Sequence, residues 1–487
     1  MSLNKSLVAT LDGNIVNKPS EAYFNLPEKV LQFGTGVLLR GLPDYFIDKA
    51  NKQGIFNGRV VVVKSTATGG ADEFATQEGL YTLAVRGLEN GNTVNEYVLN
   101  AAISRVVAAG SQWAEILEVA KNPELQVVIS NTTEVGIVLV DDDIFAAPPK
   151  SFPGKLTSVL YERYKAFNGA ADKGLAIVPT EMITDNGKSL KSVVFEQAKR
   201  HNLEQGFIDW LENANEFCNT LVDRIVPGKL TATDKADAEA KLGYKDDLII
   251  MSEVYRLWAI ETDKQTTKDK LNFSQADNGV VLTGDISKFK ELKLRLLNGS
   301  HTFTCGWAII KGFSTVKEAM ANADFFAHIK ALMNEEIIPA ITSEQISEAD
   351  AQAFAASVLD RYGNPFLEHL WINITAQYSL KMKGRCLDIL NNYYERKQAA
   401  PNYITKGFAA YIRFMKSEQK ADGSFVGTLN GKEYTITDQY AELLHSKWNA
   451  NTGLALVKSV LEDVTLWDKA IVFEGFAEAV NAELEKL

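Results

Sequence analysis

Four short apolar runs, separated by helical patterns, constrain what the N-terminal part of this chain can fold into. The runs are residues 29–33, 59–63, 125–129 and 175–178, and residues 111–121 show the apolar spacing of a helix. Strands that are apolar throughout are typical of a parallel sheet covered by helices on both faces. The pattern therefore predicts an α/β domain. We expect the helix after the first run to continue as far as Gly54.

A hairpin signal interrupts this alternation between the second and third runs. Residues 80–86 and 93–99 have the character of strands and flank Asn90-Gly91, a dipeptide that favours a tight two-residue turn. We expect an antiparallel hairpin inserted into the parallel sheet.

The pattern changes near residue 286. Helical spacing then recurs almost continuously, in residues 316–338, 347–361, 384–397, 408–419, 439–449, 454–467 and 473–487. One possible hairpin lies around Asn430-Gly431. The sequence predicts two domains, an α/β domain over residues 1–285 and an all-α domain over residues 286–487.

Charge and composition exclude several classes of protein. The 487 residues contain 51 Lys and Arg against 62 Asp and Glu, a net charge of −11, which disfavours binding to nucleic acid or anionic lipid surfaces. No apolar run approaches the roughly 18–20 residues of a membrane span, and the N-terminus lacks the apolar core of a signal peptide. The three cysteines, Cys218, Cys305 and Cys386, form no CxxC pair. We expect a cytoplasmic protein with a small-molecule partner; its oligomeric state is left open.

A Gly-x-Gly turn follows the first apolar run. Gly34-Thr35-Gly36 lies between a predicted strand and a predicted helix, the context in which a phosphate can approach backbone N–H groups. The third glycine of the dinucleotide fingerprint is absent, because Leu39 takes its place and Gly41 comes two residues later. The motif indicates a Rossmann-like dinucleotide site; the alternative is a tight turn without a ligand.

The ends of the next two predicted strands give mixed signals. The second ends in Val63-Lys64-Ser65, without the acidic residue that usually binds the ribose of NAD, so the choice between NAD and NADP stays open. The polar residues 130–134 follow the third strand, where ligands bind in open α/β sheets. Their alternative interpretation is a turn followed by a helix cap.

A base, an amide and an imidazole recur within an apolar helical segment of the second domain. At about 100° per residue, Asn298 lies about 140° and His301 about 80° around the helix axis from Lys293, so all three can face one cleft. A surface lysine and a buried, satisfied histidine are the alternative.

The spacing of these three residues resembles the motif of the polyol-specific long-chain dehydrogenase (mannitol dehydrogenase) family. Further matching segments are spread over most of the chain: residues 33–36 with Arg40-Gly41, residues 79–81 with Arg86-Gly87, residues 131–134, Asn186-Gly187, residues 222–225 and Asn364-Pro365. The resemblance implies a Rossmann-like domain with a helical partner, and hydride transfer that needs NAD but no metal.

The resemblance also implies roles for individual residues. The catalytic set is Lys293 as general acid and base, Asn186 and Asn298 as donors to the reacting oxygen, and His301 as its orienting group. The cofactor set is Phe33, Gly34, Thr35, Gly36, Val37, Leu38, Lys64, Ser65, Asn131, Thr132, Thr133 and Glu134. The substrate set is Asp223, Lys381, Lys383 and Arg385. No metal site is expected, since none of His201, His301, His328, His369 and His445 is paired at ligand spacing.

Two segments indicate the sugar-acid branch of this family. They are residues 179–181 and residues 379–385, the latter reading Ser-Leu-Lys-Met-Lys-Gly-Arg. Asn373 stands where the polyol branch carries a substrate-binding arginine, while Lys381 matches that arginine's partner lysine. The cations Lys381, Lys383 and Arg385 can bind a carboxylate; a solvated helix end is the alternative. Another substrate of the same family, or a dinucleotide sensor without turnover, also remains open.

Overall fold

The computed structural model describes residues 1–65, 71–132, 135–429 and 431–487. The chain divides into two compact units. The first comprises Met1–Arg86 and Thr93–Ile286, and the second comprises Gly87–Asn92 and Ser287–Leu487.

The first unit alternates strands and helices. Its strands are β1 (Glu28–Phe33), β2 (Arg59–Lys64), β3 (Tyr81–Glu89), β4 (Asn92–Asn100), β5 (Ile103–Ala108), β6 (Val127–Ser130), β7 (Ala176–Pro179), β8 (Glu216–Phe217), β9 (Thr220–Asp223), β10 (Ile250–Ser252), β11 (Leu257–Glu261) and β12 (Val280–Thr283). Its α-helices are α1 (Lys5–Val8), α2 (Val37–Gly41), α3 (Pro43–Lys52), α4 (Ala71–Thr76), α5 (Ala109–Ala120), α6 (Phe152–Ala166), α7 (Asn186–Arg200), α8 (Gln205–Ala214), α9 (Ala232–Leu242) and α10 (Gln265–Lys270). Short 3₁₀ helices span Glu21–Asn25, Ala171–Lys173 and Asn272–Ala276.

A six-stranded parallel sheet with the order β5-β2-β1-β6-β7-β8 forms the centre of this unit. Val60 and Val62 pack into one hydrophobic cluster, whereas Val61 and Val63 pack into another. Both faces of the sheet are therefore buried, which explains the continuous apolar runs. This strand order is that of the Rossmann fold, with its crossover point between β1 and β6. The expected Rossmann-like fold is confirmed.

Two local expectations for this unit were wrong. The hairpin β3–β4 turns at Asn90 and Gly91, both with positive φ, but it joins β10 in a separate three-stranded sheet and not the parallel one. The helix expected to run to Gly54 is interrupted at Leu42, because Pro43 disfavours a helical conformation in the preceding residue. A third sheet has the order β12-β11-β9.

The second unit is mainly helical. Its α-helices are α11 (Ser287–Leu292), α12 (Ser300–Ile310), α13 (Val316–Met320), α14 (Ala323–Ala331), α15 (Ile338–Ile341), α16 (Glu348–Tyr362), α17 (Trp371–Ile374), α18 (Tyr378–Lys381), α19 (Leu387–Lys397), α20 (Asn402–Phe414), α21 (Ala441–Ala450), α22 (Gly453–Leu461), α23 (Val464–Trp467) and α24 (Phe476–Leu484). Three segments are π-helical, Lys293–Gly299, Leu332–Ile337 and Met382–Cys386.

The second unit also carries a small antiparallel sheet of β13 (Glu418–Gln419), β14 (Phe425–Leu429) and β15 (Lys432–Thr435). The expected hairpin is therefore present, although Asn430 lies outside the described residues, and the unit is not strictly all-α. None of the helices in the described parts of the chain is both long and apolar enough to cross a bilayer.

One buried carboxylate in the first unit makes stability depend on pH. Asp44 of α3 is fully buried and accepts a hydrogen bond from Gln32 Nε2 (3.3 Å), while its Oδ1 has no partner among the described residues. Burial raises the pKa of Asp44 to about 7. Folding therefore favours the protonated form, and this contribution to stability falls as the pH rises from the ordinary pKa near 4 to about 7.

We predict that Asp44→Asn raises the free energy of unfolding by about 1–3 kcal/mol at pH 8, because the neutral amide avoids a buried charge. The gain should shrink at pH 5, where the wild-type carboxyl is protonated. Urea unfolding at both pH values measures it. Asp172→Asn, at an exposed position, is the control. An equal effect of Asp44→Asn at both pH values would contradict the role given to this carboxyl.

Candidate active site

The Gly-x-Gly turn lies at the carboxyl edge of the parallel sheet. Gly34 has a φ of +128°, and a Cβ there would lie 2.9 Å from Leu39 Cδ1 and 3.3 Å from Asn131 O. A Cβ on Gly36 would meet nothing within 4 Å. The turn thus needs glycine first for its conformation, while its second glycine borders open space where a ligand can approach the backbone.

The structure explains the missing third glycine. Leu39 is fully buried and packs against Gly34, whereas a Cβ on Gly41 would lie 2.8 Å from Val226 Cγ2. Gly41 therefore allows the close packing that the third glycine of the fingerprint usually provides. The departure from the fingerprint leaves the geometry of the turn intact.

The predicted cofactor residues of the glycine turn and of the end of β2 differ in how far they are exposed. Thr35, Val37 and Leu38 are half-buried within or just after the turn, and Ser65 is exposed at the end of β2. The ring of Phe33 packs in the core, with its centroid 5.1 Å from that of the Phe152 ring, so only the backbone of Phe33 faces the turn. Lys64 is buried at the end of β2, one residue beyond Val63, whose carbonyl accepts a hydrogen bond from Gly34 N.

The loops after β6 and β7 are joined by hydrogen bonds. Asn131 Nδ2 donates to Thr180 O (3.1 Å) and Thr180 Oγ1 (3.0 Å). Thr132 donates to Glu181 through its backbone N (2.9 Å) and its hydroxyl (3.0 Å). The remaining members of this predicted cluster, Thr133 and Glu134, lie outside the described residues.

Asn186 begins α7, where it is almost fully buried. Its Nδ2 lies within hydrogen-bond distance of Glu181 O (3.0 Å), Thr220 Oγ1 (3.1 Å) and Pro179 O (3.2 Å), and its Oδ1 accepts from Thr220 N (2.9 Å). The amide thus joins the ends of β7 and β9. This bonding fixes the position of the amide; its role as a donor to the reacting oxygen stays a prediction.

In the second unit, Lys293 and Asn298 lie on one π-helix, Lys293–Gly299, and both are half-buried. A π-helix closes its hydrogen bonds from i to i+5, so residues five apart lie roughly one turn apart. The 140° separation expected for an α-helix therefore does not apply. The wider turn brings Lys293 and Asn298 closer to a common face.

Hydroxyl groups satisfy the carbonyls at the end of this π-helix. Ser300 Oγ donates to Leu296 O, Tyr362 Oη donates to Leu297 O (2.7 Å), and Thr302 Oγ1 donates to Asn298 O (2.7 Å). Arg295, in the middle of the segment, donates to Gly384 O and Arg385 O of the π-helix Met382–Cys386. Side chains thus stabilise the unusual backbone and tie the two π-helices together.

His301 lies one turn further on, stacked on Tyr362 with ring centroids 3.9 Å apart and an interplanar angle of 3°. Its Nε2 is buried and has no hydrogen-bond partner in the described part of the chain. Burial, then the neighbouring His369 and the cations Arg361, Arg385 and Lys381, hold the pKa of His301 well below its ordinary value. The imidazole is therefore neutral.

Three cations, Arg361, Lys381 and Arg385, lie near enough to influence this neutral ring electrostatically. Burial and the repulsion from Arg385 lower the pKa of Lys381, and burial lowers that of Arg385. Arg385 Nη1 donates to Thr302 Oγ1 (3.3 Å) and Lys381 Nζ donates to Ile374 O (2.8 Å). Arg361 is buried at the end of α16. Such a concentration of positive charge suits an anion.

The two other predicted substrate residues are Lys383 and Asp223. Lys383 forms an ion pair with the exposed Asp468 (2.6 Å). Asp223 is buried at the end of β9, in the first unit. Sequence reasoning missed Arg361, Tyr362 and His369. Arg361 and Tyr362 directly precede the segment 363–365 that contains Asn364-Pro365, and this adjacency was their available signal.

Comparison with known proteins identifies the family. A model of the mannitol dehydrogenase Rossmann domain matches residues 28–273, and one of the mannitol dehydrogenase C-terminal domain matches residues 285–487. The chain belongs to the mannitol dehydrogenase family. It is therefore an oxidoreductase.

Within the described residues, no group of three or more His, Cys, Asp or Glu side chains is arranged to hold a metal ion.

Several curated relatives are altronate oxidoreductases. An altronate oxidoreductase of Halalkalibacterium halodurans is 38% identical over 477 residues, 95% of this chain and 92% of the relative. One of Bacillus subtilis is 39% identical, covering 91% and 89%. One of Escherichia coli O139:H28 is 35% identical, covering 95% and 94%. The expected family membership is confirmed.

Two solved structures share the fold. A substrate-free D-sorbitol dehydrogenase matches with a TM-score of 0.75 at 19% identity, covering 99% of this chain and 96% of the other. A Pseudomonas fluorescens mannitol 2-dehydrogenase, in a ternary complex with NAD and D-mannitol, matches with a TM-score of 0.67 at 21% identity, covering 100% and 97%. At these identities the likeness establishes the fold.

We predict that Asn186→Ala lowers the free energy of unfolding by about 2–4 kcal/mol, because it leaves several buried polar groups without partners. Urea unfolding measures the loss. Asn213→Ala is the control, since that exposed amide bonds Asp209 O in its own helix, and it should change stability by less than about 0.5 kcal/mol. A fully stable Asn186→Ala variant that has lost activity would instead assign Asn186 to the substrate.

Proposed function

We propose that this chain is an NAD(H)-dependent oxidoreductase that interconverts D-tagaturonate and D-altronate. The observation that carries this proposal is the group of Arg361, Lys381 and Arg385 around the neutral His301. A sugar acid presents a carboxylate to these cations, whereas a polyol presents no charge. The names of relatives at 34–39% identity support the same substrate class.

The carboxyl edge of the parallel sheet fits a dinucleotide. Gly34 and Gly36 would allow its pyrophosphate to approach the backbone, as the open space at Gly36 suggests. Lys64 and Ser65 would lie on the ribose side, where neither supplies the usual carboxylate. Asn131 and Thr132 would border the second nucleotide. Bound NAD(H) would supply the hydride acceptor or donor.

The carboxylate of the sugar acid would bind Arg385 and Lys381. The Lys381 ammonium has three donors and, among the described residues, uses one on Ile374 O, so two would remain for a ligand. An arginine can hold a carboxylate with two parallel N–H groups. Lys383, which also pairs with the exposed Asp468, stays a predicted member of this group, and Arg361 is a further candidate.

Proton transfer would fall to Lys293. As an amine it would take the proton of the hydroxyl during oxidation, and as an ammonium it would return it during reduction. Asn298, roughly one π-turn along the same segment, would donate an amide N–H to the reacting oxygen. His301, neutral and with an unused ring nitrogen, would orient that oxygen or a neighbouring hydroxyl.

We predict that the wild type reduces tagaturonate with a kcat/KM far above those for fructuronate and fructose, in initial-rate assays with NADH and, separately, NADPH. Arg385→Gln should lower kcat/KM for tagaturonate by about 10- to 100-fold, since a charge-assisted hydrogen bond contributes about 1.5–3 kcal/mol. Its effect on fructose should be small. A preference of the wild type for fructose or mannitol would place the chain in the polyol branch. NADH binding without turnover of any substrate would indicate a sensor.

We further predict that Lys293→Ala lowers kcat by about 10²- to 10⁴-fold, the usual contribution of a general acid or base. The Kd for NADH, measured by titration calorimetry, should stay within about twofold. Lys311→Ala, at the exposed end of α12, provides the control and should keep wild-type turnover. Turnover comparable to wild type in Lys293→Ala would remove the role given to Lys293.

A further inference from the structure

Glu181 is a buried carboxylate at the carboxyl edge of the parallel sheet. It follows Thr180, the residue after β7, and is 3% exposed. Its Oε1 accepts hydrogen bonds from Thr132 N (2.9 Å) and Thr132 Oγ1 (3.0 Å), and its Oε2 accepts one from Ser130 Oγ (3.1 Å). Both oxygens act as acceptors, as in an ionised carboxylate.

The charge of Glu181 is balanced by neutral donors. In the part of the chain that the structure describes, no lysine, arginine or histidine forms an ion pair with it, whereas the buried Asp277 pairs with Lys49 (2.6 Å) and Arg256 (2.8 Å). Hydrogen bonds from neutral groups satisfy the oxygens of a buried carboxylate but leave its net charge uncancelled. The negative field of Glu181 therefore extends into its surroundings.

The backbone around Glu181 is fixed. Asn186 Nδ2 donates to Glu181 O (3.0 Å), and Thr180 N donates to Ser130 O (2.8 Å). The carboxylate therefore keeps its place at the end of β6 and β7. In a sheet of this order, the second nucleotide of a dinucleotide lies over that half of the carboxyl edge.

We propose that Glu181 determines the relative affinity for the oxidised and reduced forms of the nicotinamide cofactor. This inference depends on the proposed function, because it requires the dinucleotide to bind at this edge. The oxidised ring carries one positive charge that the reduced ring lacks, and the rest of the molecule is the same. A fixed negative charge beneath the nicotinamide half therefore strengthens binding of NAD⁺ and leaves NADH nearly unaffected. Glu181 acts here as a specificity residue, with no part in proton transfer.

The test is titration calorimetry of NAD⁺, NADH and ADP-ribose with the full chain and with Glu181→Gln. Glutamine keeps the size and one acceptor oxygen but removes the charge. The ratio Kd(NAD⁺)/Kd(NADH) should rise on the order of tenfold, as expected for one charge acting across several ångströms at an effective dielectric constant near 20. The Kd for ADP-ribose, which lacks the nicotinamide, should stay within about twofold.

Glu124→Gln is the matched control. Glu124 is exposed and precedes β6, at the opposite end of the same strand, so its replacement changes the net charge equally without changing the ratio. Met182→Lys is a second variant that does not disturb the buried network, because Met182 is 72% exposed. The positive charge that it adds next to Glu181 should raise Kd(NAD⁺)/Kd(NADH), as Glu181→Gln does.

The outcomes separate the two proposals. If NADH, NAD⁺ and ADP-ribose all fail to bind the wild type, the proposed function fails. If they bind but the ratio in Glu181→Gln stays within about twofold of wild type, the role of Glu181 alone is overturned. If Glu181→Gln does not fold, an unchanged ratio in Met182→Lys overturns it in the same way.

Discussion

The wider turn of the π-helix Lys293–Gly299 is the constraint on which the rest of the second unit's candidate site depends. An i to i+5 ladder is rarely stable alone, and such segments are frequent at functional sites. Here the hydroxyls of Ser300, Thr302 and Tyr362 bind the carbonyls at its end, and Arg295 connects it to the next π-helix. Tyr362 also forms the plane on which His301 stacks, so the backbone and the imidazole are fixed by the same side chain.

Hydrogen bonds from side chains also fix the carboxyl edge of the parallel sheet in the first unit, but they involve different groups. Ser130 and Thr132 donate to Glu181, Asn186 donates to the backbone of Glu181, and its Oδ1 accepts from Thr220. This chain of hydrogen bonds runs across the ends of β6, β7 and β9. Short loops over a strand edge have few apolar contacts, so polar side chains must hold them in place. A ligand at this edge would meet a surface that is already fixed.

Sequence reasoning found the parallel sheet and the glycine turn because burial and backbone sterics leave direct traces, as in the buried valines of β2 and the positive φ of Gly34. It could not identify the distant partners of a side chain. Nothing near Asn186 in the sequence shows that its amide bonds Thr220, and nothing near Lys383 shows that it pairs with Asp468. The sequence also does not predict the π-helical turn, because the apolar spacing of residues 293–301 fits an α-helix equally well. Arg361 could be assigned to the site only from the structure, in which α16 lies beside His301.

Lys381 and Arg385 hold positive charge at partly buried positions, which costs the folded state stability that a bound anion can restore. Burial and then repulsion from Arg385 lower the pKa of Lys381, and burial lowers that of Arg385, so the protein holds positive charge where its own structure disfavours it. A ligand that binds only the folded state stabilises it by RT ln(1 + [L]/Kd), and relief of this repulsion adds to the affinity for an anion over a neutral analogue. The net charge of −11 opposes the approach of any anion over long distances, but solvent ions screen that field beyond about 8–10 Å. Under the proposed function, discrimination between a sugar acid and a polyol would therefore depend on these local cations and not on the total charge.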